Sequence, residues 1–175
     1  DNKNATDVIN KALGVFPDSE PLLRLKIALH IDLEEWQEAL AILSKHEPAD
    51  DFQVLLMKIE VFRGLEDHSK ARELVEKYLI ANPEPDKVDV LNSYLVELIH
   101  KSIGYEAAIA HGEASVEKEL SIQTYLAMSK AHRRNDNIAA AKQCTSIALE
   151  NMGDLTPYGE TFMIAEEAYF CGLLI

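Results

Sequence analysis

Cysteine is nearly missing from this chain of 175 residues, with only Cys144 and Cys171 present, so no disulfide framework can organise the fold. Neither cysteine belongs to a CxxC pair or to zinc-ligand spacing, and both are expected to be buried thiols of a reducing compartment. The seven glycines are scattered, and none forms GxGxxG or GxxxxGKS, which removes the usual phosphate-cradling loops. GxSxG and HExxH do not occur either. No apolar run approaches the roughly 20 residues of a membrane span. Basic side chains are also scarce. Lys and Arg number 17 against 30 Asp and Glu, for a formal charge of −13 spread over both halves of the chain. Such a field repels phosphate backbones, and no basic cluster longer than Arg133-Arg134 offsets it, so nucleic acid is excluded as a partner. The opening Asp1-Asn2-Lys3-Asn4 is no signal peptide. A cytoplasmic location is the expectation, with export of a processed chain left open. Asn4-Ala5-Thr6 fits the glycosylation triplet, which carries weight only in a secreted chain.

What is present is ordinary for a folded protein: 47% hydrophobic and 27% charged residues. The six histidines show no HxxxH spacing. Glu97-Leu98-Ile99-His100 is a single Glu-x-x-His, whereas carboxylate-bridged metal bundles need two of them plus two further inward glutamates. A polar stripe on a helix is the expectation there. Cys144 has no histidine close in sequence and reads as a packing residue. No catalytic, cofactor-binding or metal residues are expected, and the chain is expected not to be an enzyme.

The strongest signal is repetition. The phrase EEWQEALAIL, around Trp36 to Leu43, returns as HSKARELVEKYL (68–79), YEAAIAHGEAS (105–115) and IAAAKQCTSIAL (138–149). Aligned on their alanines, Ala39, Ala71, Ala108 and Ala141 stand 32, 37 and 33 residues apart, and Ala5 precedes Ala39 by 34. Apolar or small residues follow at i+4 and i+7, then a helix breaker, which describes one amphipathic helix and its stop. A second helical series runs between these copies, over Leu22–Ile31, Phe52–Phe62, Val88–Ile99 and Ile122–Ala131. Thr156-Pro157 reads as an N-cap and first helical residue opening a last helix to about Cys171. No alternating strand pattern occurs, so the fold is expected to be all-α. The boundaries expected for a single domain over 1–175 are an orphan second helix at about 4–15, four repeats at about 19–50, 51–84, 86–118 and 120–153, and a final helix at about 157–172.

A unit of about 34 residues, with small residues at the helix contact and a proline near its end, resembles the tetratricopeptide repeat. EEWQEALAIL is similar to that family's second-helix opening, and Tyr105-Glu106-Ala107-Ala108 repeats the placement. The first-helix signature departs from the pattern. The only tryptophan lies in a second helix, and Ala28, Ile59, Val96 and Ser129 stand near the expected small position. The resemblance implies a right-handed α-solenoid of stacked antiparallel helix pairs. Alanine recurs because each hairpin offers its neighbour the same surface and the two backbones approach closely there.

It also implies a concave groove lined by the first helices, with a peptide or partner segment as ligand. Counting back from each alanine puts Arg24, then Gln53, Glu60 and Arg63, then Ser93, Glu97 and His100, then Gln123, Lys130 and Arg133 on that face. The alternative for the whole set is simply the solvated side of amphipathic helices. Arg24, Arg63, Lys130 and Arg133 are basic on an acidic protein, a strip suited to an acidic peptide or a free carboxylate. The Lys-x-x-x-Asn arrangement with which some family members clamp a carboxylate does not occur in these helices. A non-catalytic interaction scaffold or adaptor is therefore expected. Two alternatives stay open: a repeat segment of a larger enzyme or envelope assembly protein, and a sensor for a small molecule or signalling peptide. Phe162, Ala165, Ala168, Tyr169 and Cys171, followed by Gly172-Leu173-Leu174-Ile175, predict an apolar C-terminal edge. Either further sequence covers it, or it pairs with another chain, or the tail folds back.

Overall fold

The computed structural model describes residues 2–45, 52–82, 85–118, 120–153 and 158–173. Among them there are ten α-helices and no strand: α1 (Asn2–Val15), α2 (Glu20–Asp32), α3 (Trp36–Lys45), α4 (Phe52–Gly64), α5 (His68–Ala81), α6 (Pro85–Ser102), α7 (Tyr105–Val116), α8 (Ile122–Arg134), α9 (Ile138–Glu150) and α10 (Tyr158–Phe170). The helix expected from Pro157 to about Cys171 is found as Tyr158–Phe170, and the other helices contain the expected spans with zero to three more residues at either end. The expected Thr156-Pro157 cap lies outside the described residues, as do Leu174 and Ile175. The helices fall into two compact units, 1–78 and 79–175, divided within α5.

The same turn closes three of the helix pairs. After α2, α4 and α8 the chain takes one residue into the left-handed region, at Glu34 (φ 58°), Glu66 (φ 59°) and Asp136 (φ 58°). In each, that residue's N–H bonds back three residues, to Ile31, Arg63 and Arg133, and the next N–H bonds back five, to His30, Phe62 and His132. These are Schellman caps in which an acidic residue holds the position that glycine normally takes. The side chains that follow finish the job. Asp67 Oδ1 accepts from Lys70 N, and Asn137 Oδ1 from Ala140 N, so the second helix starts capped. Gly172 (φ 66°) ends α10 with the same pair of backbone bonds, to Tyr169 and Ala168.

In the first unit Ile27, Ala39, Leu43, Val54 and Val61 form one core where α2, α3 and α4 meet. A methyl group built on Gly64 would lie 2.3 Å from the Trp36 ring, so the indole of α3 rests directly on the backbone at the end of α4. Phe52 and Tyr78 join α4 to α5, with ring centroids 5.9 Å apart, and Lys70 Nζ sits 5.1 Å from the centre of the Phe62 ring.

The second unit contains α6 to α10. Leu91, Leu98, Val96 and Ile164 are almost wholly enclosed, and Leu126, Ala148 and Ile164 tie α8, α9 and α10 together. Ser121 opens α8 as an N-cap, its Oγ accepting from Thr124 N at 2.9 Å. Gly112 lets α7 close on α8, because a Cβ there would come 2.5 Å from the Met128 sulfur.

Ala39, Ala71, Ala108 and Ala141 are each 0% exposed, whereas Ala5 in α1 is exposed. The residues four positions on, Leu43, Val75, Gly112 and Thr145, are buried with them. Of the four residues near the small position of the first helices, Ile59, Val96 and Ser129 are fully enclosed and Ala28 is half-buried. Ala39→Leu is accordingly expected to overpack the α2–α3 contact and lower stability by about 1–3 kcal/mol. Ala41→Leu, two residues along the same helix but exposed, should change it by less than about 0.5 kcal/mol. Urea midpoints of the two variants make the comparison, and equal midpoints would disprove the assigned face.

Candidate functional site

The described helices enclose a cleft of about 240 Å3 in the second unit, between one face of α6 and one face of α8. Val90, Ser93, Tyr94, Glu97 and His100 come from α6, and Gln123, Leu126, Ala127, Lys130, Ala131 and Arg134 from α8. Intervals of three and four put each set on a single helical stripe. Met163 of α10 closes one side. Val90, Leu126, Ala127, Ala131 and Met163 make the lining apolar, and the polar groups are few.

Those polar groups decide the local charge. Glu97 Oε1 and Arg134 Nη1 are 3.9 Å apart, a loose pair at the edge of ion-pair range. Burial, helped by Arg134 and Lys101 and opposed by Glu97, pushes the His100 imidazole below its ordinary value, so it is neutral at pH 7. Among the described residues its buried Nδ1 has no hydrogen-bond partner, and its ring meets Tyr105 edge-on at 6.5 Å. Lys130 has no carboxylate within 4.0 Å among the described residues. The cleft is therefore locally positive on a protein of charge −13.

Five of the ten side chains picked out from sequence, Ser93, Glu97, His100, Gln123 and Lys130, line this one cleft. The four from the first unit meet in two smaller sets. Arg24 donates through Nη1 to Gln53 Oε1 at 3.0 Å and through Nη2 to Glu20 Oε1. Arg63 Nη1 donates to Glu60 Oε1 at 2.7 Å. Arg133 does not line the cleft. Its Nε and Nη2 each donate to the Glu167 carboxylate at 3.1 Å, and the Phe170 ring lies 4.8 Å from its guanidinium carbon. Arg24, Arg63 and Arg133 thus each carry a carboxylate partner, and the expected basic strip is largely neutralised where it stands.

The counting from alanines missed Tyr94, Arg134 and Met163. Arg134 was findable, because it lies four residues beyond Lys130 on the same stripe. Met163 was not, since nothing local in α10 says which helix it meets.

A second polar cluster lies on the other side of α8. Glu167 is 0% exposed. Besides Arg133, it accepts from Ser129 Oγ at 3.0 Å, and Ser129 Oγ is 2.8 Å from Thr145 Oγ1. Cys171 Sγ stands 3.6 Å from Ser129 Oγ. The cluster joins α8, α9 and α10. Both cysteines are buried free thiols. Burial first, then Glu113 and Cys171, push the Cys144 thiol up to about 11, which leaves no thiolate for nucleophilic work at pH 7. Next to it, His132 Nδ1 is 2.8 Å from Tyr105 Oη, and burial lowers its pKa against the pull of Glu113.

Among the described residues no group of three or more His, Cys, Asp or Glu stands close enough to hold a metal ion, and no helix is long and apolar enough to cross a membrane. No family profile and no curated protein matches the chain in sequence. The comparison with solved structures is decisive instead. The crystal structure of a tetratricopeptide repeat protein from Parabacteroides merdae ATCC 43184 superposes with a TM-score of 0.67, at 16% sequence identity, over 98% of this chain. The chain has the tetratricopeptide-repeat fold. It spans 64% of the length of that protein. In the sequence repeat, α2, α4, α6 and α8 correspond to the expected first-helix series, and α3, α5, α7 and α9 to the second.

Proposed function

We propose that this tetratricopeptide-like array is a non-catalytic interaction scaffold, holding a peptide or partner segment against the first helices of its pairs. The observation that carries this is the α6–α8 cleft. Two consecutive first helices turn Ser93, Glu97, His100, Gln123 and Lys130 toward one apolar-floored space. A volume of about 240 Å3 is below the ~300–1,000 Å3 of small-molecule and cofactor pockets, which favours a protein side chain over a small-molecule ligand. An apolar lining with a few polar groups is a composition suited to binding.

Affinity capture with the intact chain and with Gln123→Glu/Lys130→Glu tests the proposal. Partner proteins should be retained by the former and lost by the latter, with unchanged helicity. Retention should also weaken as salt rises, because exposed charges are screened beyond about 8–10 Å at physiological ionic strength. Retention of the same proteins by both forms, independent of salt, would exclude the cleft as the binding surface.

A further inference from the structure

Resting on that scaffold reading, we infer that the α6–α8 cleft takes one large apolar side chain of a partner segment that also carries an aspartate or glutamate within a residue or two of it. The apolar half follows from the lining. Val90, Leu126, Ala127 and Met163 surround a space sized for a single leucine, methionine or phenylalanine side chain, the kind of small desolvated pocket that anchors an interface. An anchor with a charged head would forfeit its hydration there without a buried counter-ion.

The acidic half follows from charge. Lys130 stands at this cleft with no carboxylate within 4.0 Å among the described residues, although the chain carries 30 acidic side chains. Arg134 is only loosely held by Glu97, at 3.9 Å, and its side chain is 42% exposed. By contrast Arg63 is held by Glu60 at 2.7 Å, and Arg133 by two bonds to Glu167. Of the four basic residues expected on the groove face, Lys130 is thus the one without a carboxylate among the described residues, and it stands with Arg134 beside the apolar floor. The net charge of −13 disfavours an acidic segment in general, which turns Lys130 and Arg134 into a positional signal as well as an attraction. A basic segment gains from the general field but meets like charge at the cleft itself, so it is discriminated against there.

A random dodecapeptide library displayed on phage and selected on the intact chain tests this, with Ala127→Trp as a cleft-filled variant and Lys130→Glu as a charge-reversed one. Both variants are first checked for unchanged helicity and urea midpoint. Selected peptides should share a leucine, methionine or phenylalanine next to an aspartate or glutamate. Synthetic copies should bind either variant at least about tenfold more weakly, the ratio expected when one charged contact of about 1.4 kcal/mol is lost. Copies with the acidic residue changed to lysine should lose binding to the intact chain, and Lys130→Glu should recover part of it. Peptides that bind Ala127→Trp undiminished, or that carry no acidic residue, would overturn this inference while leaving the scaffold proposal standing. A library that yields no binding peptide at all would instead count against the scaffold proposal.

Discussion

Arg133→Met should lose about 3–5 kcal/mol of stability, the largest effect expected from any single substitution in this chain. The substitution keeps the aliphatic bulk of the side chain and removes the guanidinium with its charge and its two bonds to Glu167. Glu167 is then left 0% exposed with two of its four donors, Ser129 Oγ at 3.0 Å and the weak Cys171 Sγ at 3.8 Å. Breaking a buried pair is costly because the surviving charge cannot regain its water. Replacing both members is a different matter. Arg133→Met/Glu167→Met removes the pair and the desolvation penalty together, and Ser129 and Thr145 can still bond to the Ala141 carbonyl. The double variant should therefore lie within about 1 kcal/mol of the parent. Urea midpoints of the parent, both single variants and the double variant give the full cycle. Additive losses would mean that the pair contributes nothing as a pair.

Gly64→Leu should destabilise the first unit by about 3 kcal/mol. At this position the Trp36 ring atoms lie 2.3 Å from where a Cβ would be built, with three ring carbons inside 2.7 Å. An indole is rigid, so it cannot yield by a small torsion as the Met128 side chain could for Gly112→Ala. The ring must leave its seat, and its contacts with α4 go with it, a loss of the order found when large core side chains are removed. The gain in helix propensity from replacing glycine, about 0.8–1 kcal/mol, offsets only part of this. Tryptophan fluorescence reports the displacement directly, because Trp36 is the sole tryptophan. A red-shifted emission together with a lowered urea midpoint is expected, and an unshifted spectrum with parental stability would contradict the packing described.

How far the sequence could carry these conclusions depended on how local each feature is. The alanine contacts were legible because every pair must present the same close approach, so Ala39, Ala71, Ala108 and Ala141 recur at nearly constant spacing and are equally enclosed. The turns were legible in position but not in conformation. Glu34, Glu66 and Asp136 adopt a backbone state that composition does not advertise, since residues other than glycine hold it uncommonly. The cleft was half legible. Helical spacing brought Ser93, Glu97 and His100 together on α6, and Gln123 and Lys130 on α8. Arg133 followed the same count, yet it is turned about 100° from Arg134 around the axis, and that rotation hands it to α10. Its partner Glu167 lies 34 residues away and reads in sequence as an ordinary solvated glutamate. Only the packed structure shows that its charge is buried.

That one-residue rotation on α8 has a thermodynamic consequence. Lys130 and Arg134 look into the cleft, while Ser129 and Arg133 fasten α10, and α10 returns Met163 to the cleft wall. If the cleft holds a partner as proposed, its occupancy and the attachment of the last helix are linked equilibria. A guest that touches Met163 adds to the free energy holding α10 in place, and any change that loosens α10 weakens the guest by the same factor. On the proposed reading the final helix is in this sense a component of the binding constant, although most of its residues would never meet the ligand.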